Sequence, residues 1–294
     1  MKKLEQKSPL RWSPLRLTTH LMAPFDLATL AIVNPINFAA SHDYRKRVKK
    51  EAQVRSSGVS IPNDSLPMQV FHRLSELTKI NRERLIPEIH EHSVDDSNFY
   101  TSDTHLVYLA KSNGGFLTSI ANPSALTKRK DIETHELLHA TQILLNTATH
   151  LGYYRQYEPT AVAVATPSRK LTGSSIIPTT MATPAFIGEI GSEHYGVAAV
   201  IGGSVAALNL LDHSRMLVVR KAVKKYGADG WIALHAQGPY DPLFAGAILH
   251  SLEKRGFLTQ RGFTEKGKMW IKSLAPSIEA KLSQMEEKRT AKRI

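Results

Sequence analysis

Two histidines four positions apart, with a glutamate directly after the first, carry the plainest chemistry in this chain: His135-Glu136-Leu137-Leu138-His139. On a helix, positions i and i+4 share one face a turn apart, so both imidazoles can converge on a single cation. Glu136 then stands beside that face, where it can take a proton from a water that the cation polarises. Thirteen His and 16 Glu share the 294 positions, and chance assembles this spacing roughly 0.03 times per chain of that composition. The chain has no cysteine, which excludes disulfides, thiolate metal sites and cysteine nucleophiles. Ligands must come from His, Asp, Glu or water, the donor set of catalytic Zn2+ rather than of structural zinc.

A catalytic zinc takes three protein ligands and keeps one position open. No further histidine follows at short spacing, because Gln142 and Asn146 occupy the next positions on that face. The third ligand is expected to be a downstream acid, with Glu158, Glu189 and Glu193 as candidates. The stretch Glu189-Ile190-Gly191-Ser192-Glu193-His194-Tyr195-Gly196 resembles the Glu-x-x-Ala-Asp-x-x-Gly signature of the HtpX-like and CAAX prenyl protease gluzincins. Gly238-Pro239-Tyr240-Asp241-Pro242 is similar to that family's Gly-Tyr-Asp-Pro turn. The resemblance implies that Glu189 is the third zinc ligand and that Glu193 supports a zinc histidine. It also implies a metallopeptidase acting on a peptide or protein substrate with Glu136 as general base. Ser192, Glu193 and the additional proline of the turn depart from the family pattern. Glu158 is the rival ligand, since Glu158-Pro159-Thr160-Ala161 follows His139 at a spacing like that of other gluzincins. Candidate oxyanion donors are Tyr195, His194, Tyr153, Tyr154 and Arg215.

These groups need elements to hold them. The segment from Ile132 to about Ala148 reads as a helix with Asp131 as N-cap and Glu133 in its first turn. A hairpin precedes it, with strands over 104–110 and 116–120 around Ser112-Asn113-Gly114-Gly115. A helix is expected after Ser65, with Pro67 in its first turn, running to about Leu77. Residues 88–103 read as irregular, and 159–187, rich in Thr, Ser, Pro and Ala, as loop. The apolar run from Gly196 to Asp212 reads as a buried helix, followed by amphipathic helices over 214–226, from Asp241-Pro242 to about Arg255, and from Ser277 onward. His90-Glu91-His92 reads as solvated surface, and His213, His235 and His250 as core histidines. The expected fold class is α+β, mostly helical, with a zincin-like small antiparallel sheet packed on the metal helix and a helical C-terminal half. The expected division is a basic N-terminal segment over 1–60, a catalytic region over 61–213 and a helical region over 214–294.

Thirty-eight Lys and Arg against 26 Asp and Glu give a formal charge of +12, which favours anionic partners. An anionic membrane surface is one, through the interrupted apolar stretch 21–40 and the polybasic run 44–50. Nucleic acid is another, because 248–267 reads as the helix, strand, short wing and strand that close a winged-helix domain. An inactive zincin scaffold used for binding is a third reading.

Overall fold

Pro67, Phe71, Leu74 and Thr78 fall on one stripe, with Met68, Val70 and Leu77 beside it, and all are buried. That spacing makes α1 (Leu66–Thr78) a core helix. Ser65 precedes it in extended conformation, and it ends at Lys79, which takes a left-handed conformation. The protein is described here by a computed structural model covering Pro9 and residues 45–94, 98–111, 129–146, 156–166, 173–192 and 194–291, without the side chains of 173–181. The apolar stretch 21–40, the turn at 112–115 and the strand expected over 116–120 lie outside the described residues.

A four-stranded sheet carries one side of the core. It contains β1 (Gln53–Val54), β2 (Glu88–His92), β3 (Phe99–Thr101) and β4 (Leu106–Ala110), in the order β1-β2-β4-β3. A short helix, α2 (Arg82–Leu85), leads into β2. The middle pair, β2 with β4, is parallel, while β1–β2 and β3–β4 are antiparallel, so the sheet is mixed rather than antiparallel throughout. Within the stretch expected to be irregular, 88–92 and 99–101 are therefore strand, His90-Glu91-His92 included. Side chains screen its polarity locally: His90 bonds Glu88, and Glu91 pairs with Arg55 and Arg129. All five residues of β4 are buried, as a central strand requires.

Helix α3 (Arg129–Leu145) lies against β3 and β4 on one side and α1 on another. It begins before Asp131, which sits inside its first turn rather than capping it. The segments expected as loop fold as α4 (Glu158–Ala165) and α5 (Gly173–Gly191). Next comes α6 (Tyr195–Ala236), kinked at Gly227, whose φ of 59° and ψ of −146° suit glycine. A single 3-10 turn (Pro242–Phe244) precedes α7 (Ala245–Lys254), then the hairpin β5 (Leu258–Thr259) and β6 (Gly262–Phe263), α8 (Glu265–Lys272) and α9 (Ala275–Ala291). The helix–strand–turn–strand order expected near the C-terminus is present. The architecture is α+β and mostly helical.

One hydrophobic cluster runs from Ile61 to Leu282, joining α1, α3, α4, the second half of α6, α7 and α9. The boundary expected at 213/214 falls inside α6. Two polar ties fix α3 in this core. The Trp231 indole of α6 donates to Thr141 at 2.9 Å, and the Lys281 ammonium of α9 donates to the carbonyls of Ile143 and Leu144 at the helix C-terminus. A cation there satisfies carbonyls that have no partner within the helix.

The first turn of α3 is held by a buried charge. Glu133 is fully buried and accepts from Arg55 at 2.9 Å and from the amide and hydroxyl of Ser60. Removing one member of a buried pair strands the other. Glu133→Ala is therefore expected to lower the unfolding free energy by about 3–5 kcal/mol in urea denaturation. Arg55→Met combined with it should cost clearly less than the two single changes added together.

Candidate metal centre

Helix α3 is buried nearly all round, so its one-turn repeat delivers His135 and His139 to the same inner face. Helix α4 faces it, entered through a π-type turn at Gln156 and Tyr157. Glu158 is the first residue of α4 and Pro159 the next, an order that tolerates the missing amide and places an acid on the positive end of the helix dipole. The contact between α3 and α4 then brings three donors together. His135 Nε2 and His139 Nε2 are 3.0 Å apart, and Glu158 Oε2 lies 3.3 Å from the first and 3.2 Å from the second.

Those distances fit a metal ion. A tetrahedral centre with bonds of ~2.0–2.1 Å holds its donors ~3.3–3.4 Å apart, so one cation can sit over this triangle with little movement. His139 is buried, while His135 and Glu158 are each about a sixth exposed. The open side of the triangle therefore faces solvent, where a catalytic metal would keep its fourth position. Among the described residues this is the one group of three or more His, Asp and Glu with converging donor atoms.

Gln142, one turn beyond His139, sets the histidine's protonation. Its amide nitrogen donates to Tyr157 O at 3.1 Å and to Thr160 Oγ1 at 2.6 Å, which turns its carbonyl oxygen to His139 Nδ1 at 2.8 Å. Nδ1 therefore carries the hydrogen, and Nε2 presents a lone pair to the centre. Sequence reasoning identified Gln142 only as a position without a ligand. Its role depends on Thr160 and the Tyr157 carbonyl, fifteen or more positions away, and no local pattern marks it.

Glu136 is buried beside the triangle, on the strand side of α3. Burial pushes its carboxyl up to about 7, with the Glu158 charge adding to the shift. His139, the backbone amide of Tyr100 and Arg45 pull it back. Tyr100 belongs to β3, the outermost strand among the described residues, so this margin of the sheet borders the carboxylate. Burial also acts upward on Glu158, but the two histidines outweigh it and hold that group well below the usual carboxylate range. Two acids in one site are thus driven apart, the arrangement expected of a ligand and a proton acceptor.

The remaining expected residues lie elsewhere. Glu189 is near the end of α5 and bonds His194 at 3.0 Å, so it is Glu158 and not Glu189 that joins the histidines. His194 and Tyr195 are exposed at the start of α6 and do not flank the triangle as oxyanion donors. Arg215 is held by Asp241, the acid of the Gly-Pro-Tyr-Asp-Pro turn, which leaves it no oxyanion role. Glu193, Tyr153 and Tyr154 lie outside the described residues. His235 is a core histidine as expected, hydrogen-bonded to Gln156 and pushed down to about 3 by burial, whereas His250 is exposed and His213 half-buried. The rings of Tyr157 and Tyr240 pack against His235, their buried hydroxyls have no hydrogen-bond partner among the described residues, and neither had a signal in the sequence.

Comparison with protein-family models, with curated proteins and with solved structures returned no match.

Two outcomes follow for the metal-free protein. A carboxyl whose folded pKa is raised contributes stability that is complete below its ordinary value of 4.5 and is lost as pH rises through about 7. Glu136→Gln should match the wild type in thermal melts near pH 4.5 and exceed it by up to ~3 kcal/mol above pH 7. The buried histidines His105 and His235 titrate alike in both proteins and cancel from the difference. Gln142→Leu should weaken metal binding about 10- to 100-fold in competition with a chelating dye, because His139 loses the partner that fixes its tautomer.

Proposed function

We propose that this chain is a zinc-dependent metallopeptidase of the gluzincin kind, with His135, His139 and Glu158 as ligands and Glu136 as general base. The observation that carries the reading is the triangle of donors at 3.0, 3.2 and 3.3 Å. A second support is the buried carboxyl of Glu136 beside it on the same helix, a group that can act as a general base.

Zinc, when bound, would supply Lewis acidity to the scissile carbonyl and lower the pKa of a water toward neutrality. The protein's own groups do the rest. His139 keeps its lone pair on the centre because Gln142 holds the opposite nitrogen. Glu136 accepts the proton of the attacking water and returns it to the leaving amine. Its hydrogen bond from the Tyr100 amide fixes the carboxylate while it is charged.

Elemental analysis of purified protein tests the ligand set. One zinc per chain is expected, lost in His139→Ala and Glu158→Ala and kept in Glu189→Ala. Zinc lost from the Glu189 variant, or none in the wild type after adding it back, would overturn the assignment. Glu136→Gln is expected to keep its zinc and cut peptide hydrolysis, read on a mixed peptide library, by about 10²- to 10⁴-fold.

A further inference from the structure

The apolar run expected to be a buried helix is on the outside. From Ala182 to Leu211, Ala198 is the sole described residue that is buried. Seven of the nine exposed large hydrophobic side chains among the described residues fall between Ile187 and Leu217, including Tyr195, Val197, Val200 and Leu210. Helix α6 is long and apolar enough to cross a membrane, and 11% of its most apolar window is buried. Helix α5 packs antiparallel beside it, the two joined by the short connection between Gly191 and Tyr195. A side chain at Gly202 would meet the Phe186 ring at 3.0 Å, so a small residue there permits the close approach of the two helices.

Three further observations say what covers this surface. The first is charge. The chain carries 38 Lys and Arg, yet none occurs from 171 to 214. Arg169 and Lys170 stand immediately before, and Arg215, Arg220, Lys221, Lys224 and Lys225 follow. The turn at the far end is instead acidic, with Glu189 and Glu193. A protein partner or a second copy would not demand so complete a depletion, and a bilayer does, with the basic end kept on its own side. The second is length. Helix α5, at 19 residues, reaches about 28 Å, and the apolar part of α6 from Tyr195 to Leu211 about 25 Å, near the ~30 Å of a hydrocarbon core. The third is composition. Helix α5 contains Pro178 and Pro184 and ends in Gly188 and Gly191. Each interior proline costs about 3 kcal/mol in a water-exposed helix, and such residues are better tolerated where no water competes for the backbone.

We infer that residues 173–211 form a helical hairpin that crosses a lipid bilayer, with its acidic turn on the far side and the rest of the chain anchored at the basic side. Glu189 then lies within one turn of the far interface, paired with His194.

The absence of cysteine makes a direct test available. Three full-length variants, Ser192→Cys at the turn, Val200→Cys in mid-helix and Lys224→Cys at the base, are reconstituted into vesicles of equal parts phosphatidylethanolamine and phosphatidylglycerol. Labelling uses a membrane-impermeant maleimide. The protein is expected to float with the vesicles after an alkaline carbonate wash. Lys224→Cys should label from outside, Ser192→Cys only after the vesicles are opened, and Val200→Cys only in detergent, each protected site reacting roughly tenfold slower or less. A Val197→Lys and Val200→Lys double variant should keep the melting temperature of the wild-type domain and lose the floating fraction. Failure to float, or labelling of the turn from outside, overturns the crossing. Protection of Val200→Cys without vesicles overturns it in favour of a protein cover.

Discussion

Three donor atoms converging at hydrogen-bond distance are the constraint on which the rest of this structure depends. Two imidazole nitrogens and a carboxylate oxygen 3.0 to 3.3 Å apart repel unless a proton or a metal cation is shared between them. Holding them there needs a rigid frame, and the chain builds one from several directions. Glu133 and Arg55 fix the start of α3, Lys281 closes its end, and Trp231 ties its middle to α6. The amide of Gln142 links α3 to α4 between the two ligand sets. The burial of α3 on nearly every side follows from that task, and explains why its sequence has almost no amphipathic periodicity.

The same frame sets the electrostatics. Glu158 is close enough to raise the proton affinity of Glu136, but one faces the sheet and the other the two histidines. Burial alone favours the protonated form of both acids. The asymmetry of their neighbours separates them, so one carboxylate stays charged between the histidines and the other takes up a proton more readily. A mixed sheet with β3 at its margin is what brings a backbone amide to the second acid. Had 99–101 been the irregular segment expected from its polar composition, Glu136 would lack that partner.

How much of this was legible in the sequence differs by the range of the interactions involved. The helix under His135 and His139 and the helix after Ser65 were readable because their signals are local: spacing, a preceding Ser, a proline in the first turn. The break at Gly227 was readable for the same reason. The strands at 88–92 and 99–101 were not, since each is short and takes its stability from β4 rather than from its own residues. The third donor was ambiguous because several glutamates stood downstream and a family-like pattern surrounded Glu189. What separates them is through-space: Glu158 opens a helix that packs on α3, and Glu189 closes one that does not reach it.

The misplacement of 196–212 has a different origin and carries the most general point. A continuous apolar run with small residues has no period that distinguishes a protein interior from a lipid interior, because both solvents reward the same side chains. Length did not decide it either, since seventeen residues lie at the lower margin of a span. The discriminating signal was the pattern of what is missing. In a chain this basic, a core helix still carries Lys or Arg along or beside it, as α1 does with Arg73 in its course and Lys79 at its C-terminal end. Here the basic residues stop at Lys170, resume at Arg215 and leave an acidic turn between, so the two helices share one charged end and one uncharged course. Soluble packing does not ask for that asymmetry, whereas crossing a membrane with one end held back does.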